Sequence, residues 1–266
     1  MTVATEAGHW YTLTGDPAYE IVGANGKLRN TTLRDARKLG LVPSVTTIMG
    51  CADKPALNRW KLDQTLMSAL TLPRIDGESL EELARRIKAD AEDQANKARD
   101  IGTAIHGCIE SWLKAETFDQ TYTKHVWGAM DAMRDWCGID EIRPERSFAH
   151  PLGYGGKCDV HKKPAIDLHE THNGFVADFK SKDFTADNLP GVYENHSMQL
   201  AAYREGFEMP LARCAIIFVS TAVPGLTHLV EVDEDELQRG WKMFCALLTY
   251  WQHKNSYRPQ TEELAA

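Results

Sequence analysis

The sequence predicts an α/β protein whose central mixed β-sheet is flanked by helices on both faces, and three observations carry that prediction. Apolar residues recur at three- and four-residue spacing in 101–112 and again in 123–137, the mark of amphipathic helices. Between Gly153 and Lys182 two short runs, GYGGKCDV and GFVADFKSK, read as strands with a polar loop between them. Ala215–Ser220 is a β-branched and aromatic run typical of a central strand, with Leu226–Val232 as its neighbour and an amphipathic helix from Glu234 to Tyr250 closing the core. From Ser79 onward the order is helix, three strands, helix, two strands, helix, which builds a sheet covered on both sides.

Residues 9–24 alternate around Gly15-Asp16-Pro17 and are expected to form a hairpin. Thr31–Leu39 reads as a short helix stopped by Gly40. In Pro43-Ser44-Val45-Thr46-Thr47-Ile48 a Ser/Thr cluster stands at a helix start. There Ser44 or Thr46 could hold a phosphate through backbone N–H groups, although capping its own helix is the commoner role. A second helix opens near Pro55 and runs through Trp60 and Leu66, and residues 71–78 form a linker.

Ser79 and Glu82 make a capping box for a long helix that reaches roughly Ala115. Its first half, with Arg85, Arg86, Lys88, Lys97 and Arg99, reads as a solvated face. In its second half Ile101, Ile105, Cys108, Ile109 and Trp112 form a buried stripe with His106 at the margin, Gly102 one turn before it and Glu110 one turn after. Such a histidine is usually a core or boundary residue, and it becomes a ligand candidate only if this helix abuts the two Asp-bearing strands. Thr123–Cys137 is a packing helix, and Pro144 opens a strand, Glu145–Ala149, in which Glu145 is a candidate outer carboxylate. Leu189–Phe207 reads as a helix, with Gln199 and Tyr203 four apart on one face.

The chemistry gathers on the paired runs. Alternation in Val176-Ala177-Asp178-Phe179-Lys180 sends the carboxylate and the amine one way and Ala177 and Phe179 the other. It also puts Asp159 on the face opposite Cys158 and Val160. If the two strands pair, Asp159 and Asp178 converge on one hard cation, Mg²⁺ or Mn²⁺. Lys180 then stands where it can orient a metal-bound water and stabilise phosphoryl charge, the arrangement of a phosphodiester hydrolase. Asp178-Phe179-Lys180 is the only acid-x-Lys triplet in the chain.

Other readings fail. Gly155-Gly156-Lys157 is no phosphate loop, because Pro151 and Cys158 stand where Gly and Ser or Thr are needed. His161, His169 and His172 sit around an exposed loop, 162–173, with no second ligand cluster to suggest zinc. The six cysteines show no C-x-x-C spacing and read as reduced core residues. A formal charge of −8 over 266 residues argues against non-specific coating of nucleic acid and leaves room for a local basic channel. The absence of a long apolar stretch and of a basic, then apolar start implies a cytoplasmic protein with no membrane association.

Gly102-Thr103-x-x-His106, Gly156-x-x-Asp159, Asp178-Phe179-Lys180 and Gln199-x-x-x-Tyr203 occur in the order and approximate spacing of the PD-(D/E)XK nucleases. The chain resembles most the RecB-type branch that includes phage and mitochondrial single-strand exonucleases. Pro43-Ser44-Val45-Thr46-Thr47 is similar to the segment preceding the first core helix there, so the resemblance covers roughly residues 43–232.

The resemblance implies a restriction-endonuclease-like core within a single domain. Residues 1–78 would be a helical N-terminal elaboration, 79–254 the α-βββ-α-ββ-α core and 255–266 a tail. It implies His106, Asp159, Asp178 and the backbone carbonyl of Phe179 as ligands of Mg²⁺ or Mn²⁺, the imidazole tilting the choice toward Mn²⁺. Lys180 would position the attacking water, and Gln199 and Tyr203 would brace the site or touch substrate phosphate. Some relatives hold an iron–sulfur cluster with one N-terminal and three C-terminal cysteines. Cys245 is the only cysteine after Cys214, so no iron–sulfur cluster is expected here.

The expected function is a metal-dependent DNA exonuclease acting on single strands or duplex ends in phage or bacterial recombination and repair. Its partners would be DNA and either a recombination protein or further copies of the chain. The alternatives are a non-catalytic DNA- or protein-binding module on the same fold and a structure-specific endonuclease.

Overall fold

The computed structural model describes residues 8–138, 143–163, 165–166 and 171–259, with the backbone alone at 56, 143–145, 165, 166, 171 and 172. The expected hairpin around Gly15-Asp16-Pro17 is present in a minimal form: Tyr11 bridges Pro17 antiparallel, Thr12 N donates to Asp16 O and Ala18 N to Trp10 O. Its first arm, β1 (Trp10–Tyr11), takes its main strand partner from further along the chain. A second hairpin, not expected, joins β2 (Glu20–Val22) to β3 (Leu28–Asn30), around Asn25-Gly26. Gly26 takes φ of 74°, a turn conformation that glycine adopts freely. Helix α1 (Leu33–Leu39) follows, capped by Thr32 and stopped by Gly40 at φ of 67°. Then comes β4 (Val42–Pro43), the antiparallel partner of β1.

Ser44 caps the short helix α2 (Val45–Met49), its Oγ accepting from Thr47 N at 3.0 Å. α3 (Pro55–Thr71) opens on its proline and packs along α4 (Leu80–Leu113), whose capping box is Ser79 with Glu82. α5 (Thr123–Cys137) ends at Gly138. β5 (Arg143–His150) and β6 (Tyr154–Lys162) pair antiparallel, and the two-residue strands β7 (Ala165–Ile166) and β8 (Thr171–His172) form a small ribbon. β9 (Phe175–Lys182) then enters the sheet.

The helix expected from Leu189 begins later, as α6 (Glu194–Gly206), because Pro190 and Gly191 interrupt the run and Tyr193 is extended at the cap. β10 (Arg213–Ser220), β11 (Thr227–Val232) and α7 (Glu234–Lys254) complete the chain, α7 capped by Asp233.

The central sheet is mixed, in the order β11-β10-β9-β6-β5. β9 and β10 are parallel, with α6 as the crossover, and every other neighbouring pair is antiparallel. Two apolar clusters sandwich it. On one face Val126, Met130 and Met133 of α5 and Ile105 and Ile109 of α4 meet Ala177, Phe179, Ile217 and Val219. On the other, α6 and α7 pack over Tyr154, Val176, Ile216 and Phe218, and Trp10, Val45 and Ile48 of the N-terminal segment belong to the same cluster.

Close approaches on this second face depend on missing side chains. A Cβ at Gly240 would lie 2.6 Å from the Ser197 backbone, and one at Gly156 would lie 2.8 Å from the Tyr203 ring. Among the described residues, no helix is long and apolar enough to cross a membrane.

Candidate functional site

The site arises where two strands part. β6 pairs with β9 only over Val160–Ala177, His161–Val176 and Lys162–Phe175, so the ladder stops at Asp159. Beyond that point the Phe179 N–H has no β6 carbonyl opposite it and instead donates to Asp159 Oδ2 at 2.8 Å. A carboxylate thus substitutes for the next rung of the sheet and is drawn to the edge of β9, one residue from Asp178.

The strict alternation expected around Asp159 breaks at the same place. Cys158 packs on the α6/α7 side and Val160 on the α4/α5 side, although two residues apart they should share a face. The strand turns as it leaves its partner. Cys158 Sγ donates to Val160 O and Ala177 O across the opening, and burial pushes its thiol pKa well up.

β9 keeps its alternation. Ala177 and Phe179 face α4 and α5, while Asp178 is buried against α6. Gln199 Nε2 donates to Asp178 Oδ1 at 3.2 Å and to Tyr203 OH at 2.9 Å, so one amide ties the carboxylate to the helix. Tyr203 is buried, and desolvation, reinforced by the Asp178 charge, raises its pKa well above the ordinary phenol value.

Lys180 Nζ lies 2.5 Å from Asp178 Oδ2, an ion-pair contact off the hydrogen-bond direction, so that buried oxygen has a charge beside it but no aligned donor. Burial pulls the Lys180 pKa down, but Asp178 and then Asp159 more than offset it. The net shift is upward and the amine is held charged.

From the opposite face α4 delivers His106. At Gly102, one turn before it, the helix lies against β9, where an added Cβ would meet Ser181 Cβ at 3.4 Å, ordinary van der Waals contact. His106 Nδ1 stands 3.7 Å from Asp159 Oδ2, and its ring meets Phe179 edge-on at 6.5 Å. Burial lowers its pKa, with Lys180 adding to the effect and Asp178 opposing it, so the imidazole is neutral at neutral pH, the form that ligates metals.

Two carboxylates and a neutral imidazole are a donor set that suits a hard or borderline divalent cation. As the side chains stand, no group of three or more His, Cys, Asp or Glu among the described residues encloses one point closely enough to hold an ion.

The remaining candidates lie outside the fork itself, although one of them shares its groove. Glu110 is ion-paired with Lys114, the residue that caps the C-terminus of α4. Ser44 is buried and occupied with capping, touching Thr46 Oγ1 at 3.1 Å and Thr47 Oγ1 at 2.8 Å. Thr46 lines a groove of about 1120 Å³ that also contains Lys180 and Gln199. Glu145 lies in β5, but its side chain falls outside the described residues, as do His169 and the side chain of His172. His161 is buried and stacked on Phe207 at 4.6 Å, a packing role.

Sequence reasoning missed His196. It is buried at the third position of α6, where its Nδ1 accepts from Tyr193 N at 3.1 Å. Burial first, then the Lys180 cation, lower its pKa to about 4. The three-residue spacing from an extended Tyr193 was the available signal, hidden by starting that helix at Leu189.

No family model and no curated protein matches the chain. Among solved structures, one described as the crystal structure of SSO0001 aligns with 72% of this chain and 86% of its own at 11% identity and a TM-score of 0.31. A likeness at that level carries no argument about fold or chemistry.

Proposed function

We propose that this chain is a divalent-metal-dependent deoxyribonuclease of PD-(D/E)XK, restriction-endonuclease-like type, an exonuclease working on DNA single strands or ends. The observation that carries the reading is the fork between β6 and β9. It gathers Asp159, Asp178, Lys180 and His106 within one small region from three separate elements and braces them with Gln199 and Tyr203. His106, Asp159, Asp178 and the Phe179 carbonyl would hold Mg²⁺ or Mn²⁺, which when bound polarises the scissile phosphate and makes a bound water acidic.

The protein's own groups do the rest. Lys180, kept protonated by its two acidic neighbours, orients the attacking water and stabilises charge growing on phosphorus oxygens. Gln199 holds the Asp178 carboxylate in one orientation, and the phenol of Tyr203, neutral over the whole working range, holds Gln199.

The test is digestion of 5′- and 3′-labelled linear single- and double-stranded DNA, with a circular control, in Mn²⁺, Mg²⁺ and EDTA. Metal-dependent loss from one end with the circle intact is the expected result. Asp178→Ala and Lys180→Ala are each expected to lower the rate at least about 100-fold while the protein melts cooperatively. Full activity in both variants would sink the assignment. Cutting of the circle would convert it to an endonuclease, and equal DNA binding with and without divalent cation, in the absence of any hydrolysis, to a binding module.

A further inference from the structure

Beside Lys180 the groove has an aromatic wall. Tyr193, half exposed at the start of α6, lines the same groove as Lys180, Thr46 and Gln199. Its backbone is pinned by the His196 side chain, and its ring lies under the Lys182 ammonium, 5.1 Å from Nζ to the ring centroid. Lys182 Nζ also reaches Tyr193 OH at 3.5 Å.

Lys182 follows Lys180 by two residues on β9, hence on the same face and about 6.6 Å along the strand. That is comparable to the step between successive phosphates of a stretched single strand. An exposed ring with an ammonium beside it, one residue-pair step from a charged lysine in a groove, is the pattern with which proteins hold one unpaired base and its phosphate.

Resting on the nuclease reading of the adjacent site, we propose that Tyr193 and Lys182 form a subsite for one nucleotide of a single strand. The base stacks on the Tyr193 ring and the phosphate next to the scissile one pairs with Lys182. Inside a duplex both faces of each base are already stacked, so the subsite favours an unpaired or terminal nucleotide over an internal duplex position. The same groove is lined by Lys54 and Arg239 but also by Asp53, Glu194, Glu231, Asp233 and Glu236, so the subsite is confined to the Lys180–Lys182–Tyr193 end of it.

The test is equilibrium binding of a labelled oligothymidylate and of an abasic oligonucleotide of the same length, by fluorescence anisotropy in EDTA. Wild-type protein is expected to bind the base-bearing strand more tightly. Tyr193→Ala should weaken that binding about ten-fold and abolish the preference, and Tyr193→Trp should retain it. Lys182→Gln should weaken both ligands alike and reduce the slope of log affinity against log salt by about one.

A preference unchanged in Tyr193→Ala, or absent from wild type, overturns the subsite, with cooperative melting of each variant checked first. Because hydrolysis plays no part in the readout, the two ideas fail separately. Base-dependent binding without metal-dependent cleavage removes the nuclease reading alone, and cleavage with an unchanged preference in Tyr193→Ala removes the subsite alone.

Discussion

Gln199 uses its amide N–H groups inside the protein, one toward Asp178 and one toward Tyr203, and both acceptors are buried. Gln199→Ala is therefore expected to lower stability by about 1–3 kcal/mol in urea denaturation, through a buried carboxylate oxygen and a buried phenol left unsatisfied. A change below a few tenths of a kcal/mol would mean that the pair re-forms without it. His196 makes a second residue-scale prediction. Its folded pKa of about 4 lies below the ordinary 6.5, so between these values the unfolded chain takes up a proton that the folded chain refuses. Its contribution is thus fully present above about pH 6.5 and is lost as pH falls toward 4, by up to about 3 kcal/mol. His196→Asn keeps an acceptor for the Tyr193 N–H and removes the titration. The urea midpoint should then vary less steeply over that window than in wild type, and an equally steep profile would assign the dependence to other groups.

At the scale of elements, two packed contacts decide where the functional side chains stand. α6 carries Gln199 and Tyr203, and its seat is set by α7 at Gly240 and by β6 at Gly156. Gly240→Ala places a methyl 2.6 Å from the Ser197 backbone, which is not a flexible group, so α6 must move. The expected cost is about 1–3 kcal/mol in thermal or chemical unfolding, and on the nuclease reading proposed above the rate of DNA hydrolysis falls as Gln199 shifts from Asp178. Unchanged stability would show that the helices can slide. Much of this level was legible in the sequence. The capping box at Ser79, the stop at Gly40, Pro55 opening α3 and the strand alternation of 176–180 are local signals, and each sits where its residues demand. The start of α6 and the pairing of β1 escape such reading for different reasons. Pro190 and Gly191 outweigh the helical pattern ahead of Glu194, and β1 finds β4 across more than thirty residues instead of the strand next to it.

For the whole molecule, the sheet separates two cores that do different work. The α4/α5 side holds the helix that brings His106, and the α6/α7 side holds the brace for Asp178. The N-terminal segment is part of the second core. Trp10, Val45 and Ile48 are buried in it, and Tyr257 O–H reaches Ala36 O and Leu41 O from the far end of the chain. A chain beginning at Ser79 would expose these contacts. Each large buried side chain contributes about 1.5–3 kcal/mol against a total stability of about 5–15 kcal/mol, so that shortened chain is expected to lack a cooperative melting transition. A sharp transition at the full-length temperature would show that the first 78 residues are an appendage.

The sequence by itself determined the α/β class, the face on which Asp178 and Lys180 stand together, and the helix stripe that leaves His106 at its margin, because these follow from periods of 2.0 and 3.6 along a few residues. Only the tertiary structure decided that β6 leaves β9 at Asp159. That parting breaks the alternation of Cys158 and Val160, turns the Asp159 carboxylate onto the Phe179 amide and brings it to within 3.7 Å of His106. The reason is that a strand's departure from its neighbour is set by the helices packed on either face of the sheet, through contacts between residues far apart in the chain that no local pattern records.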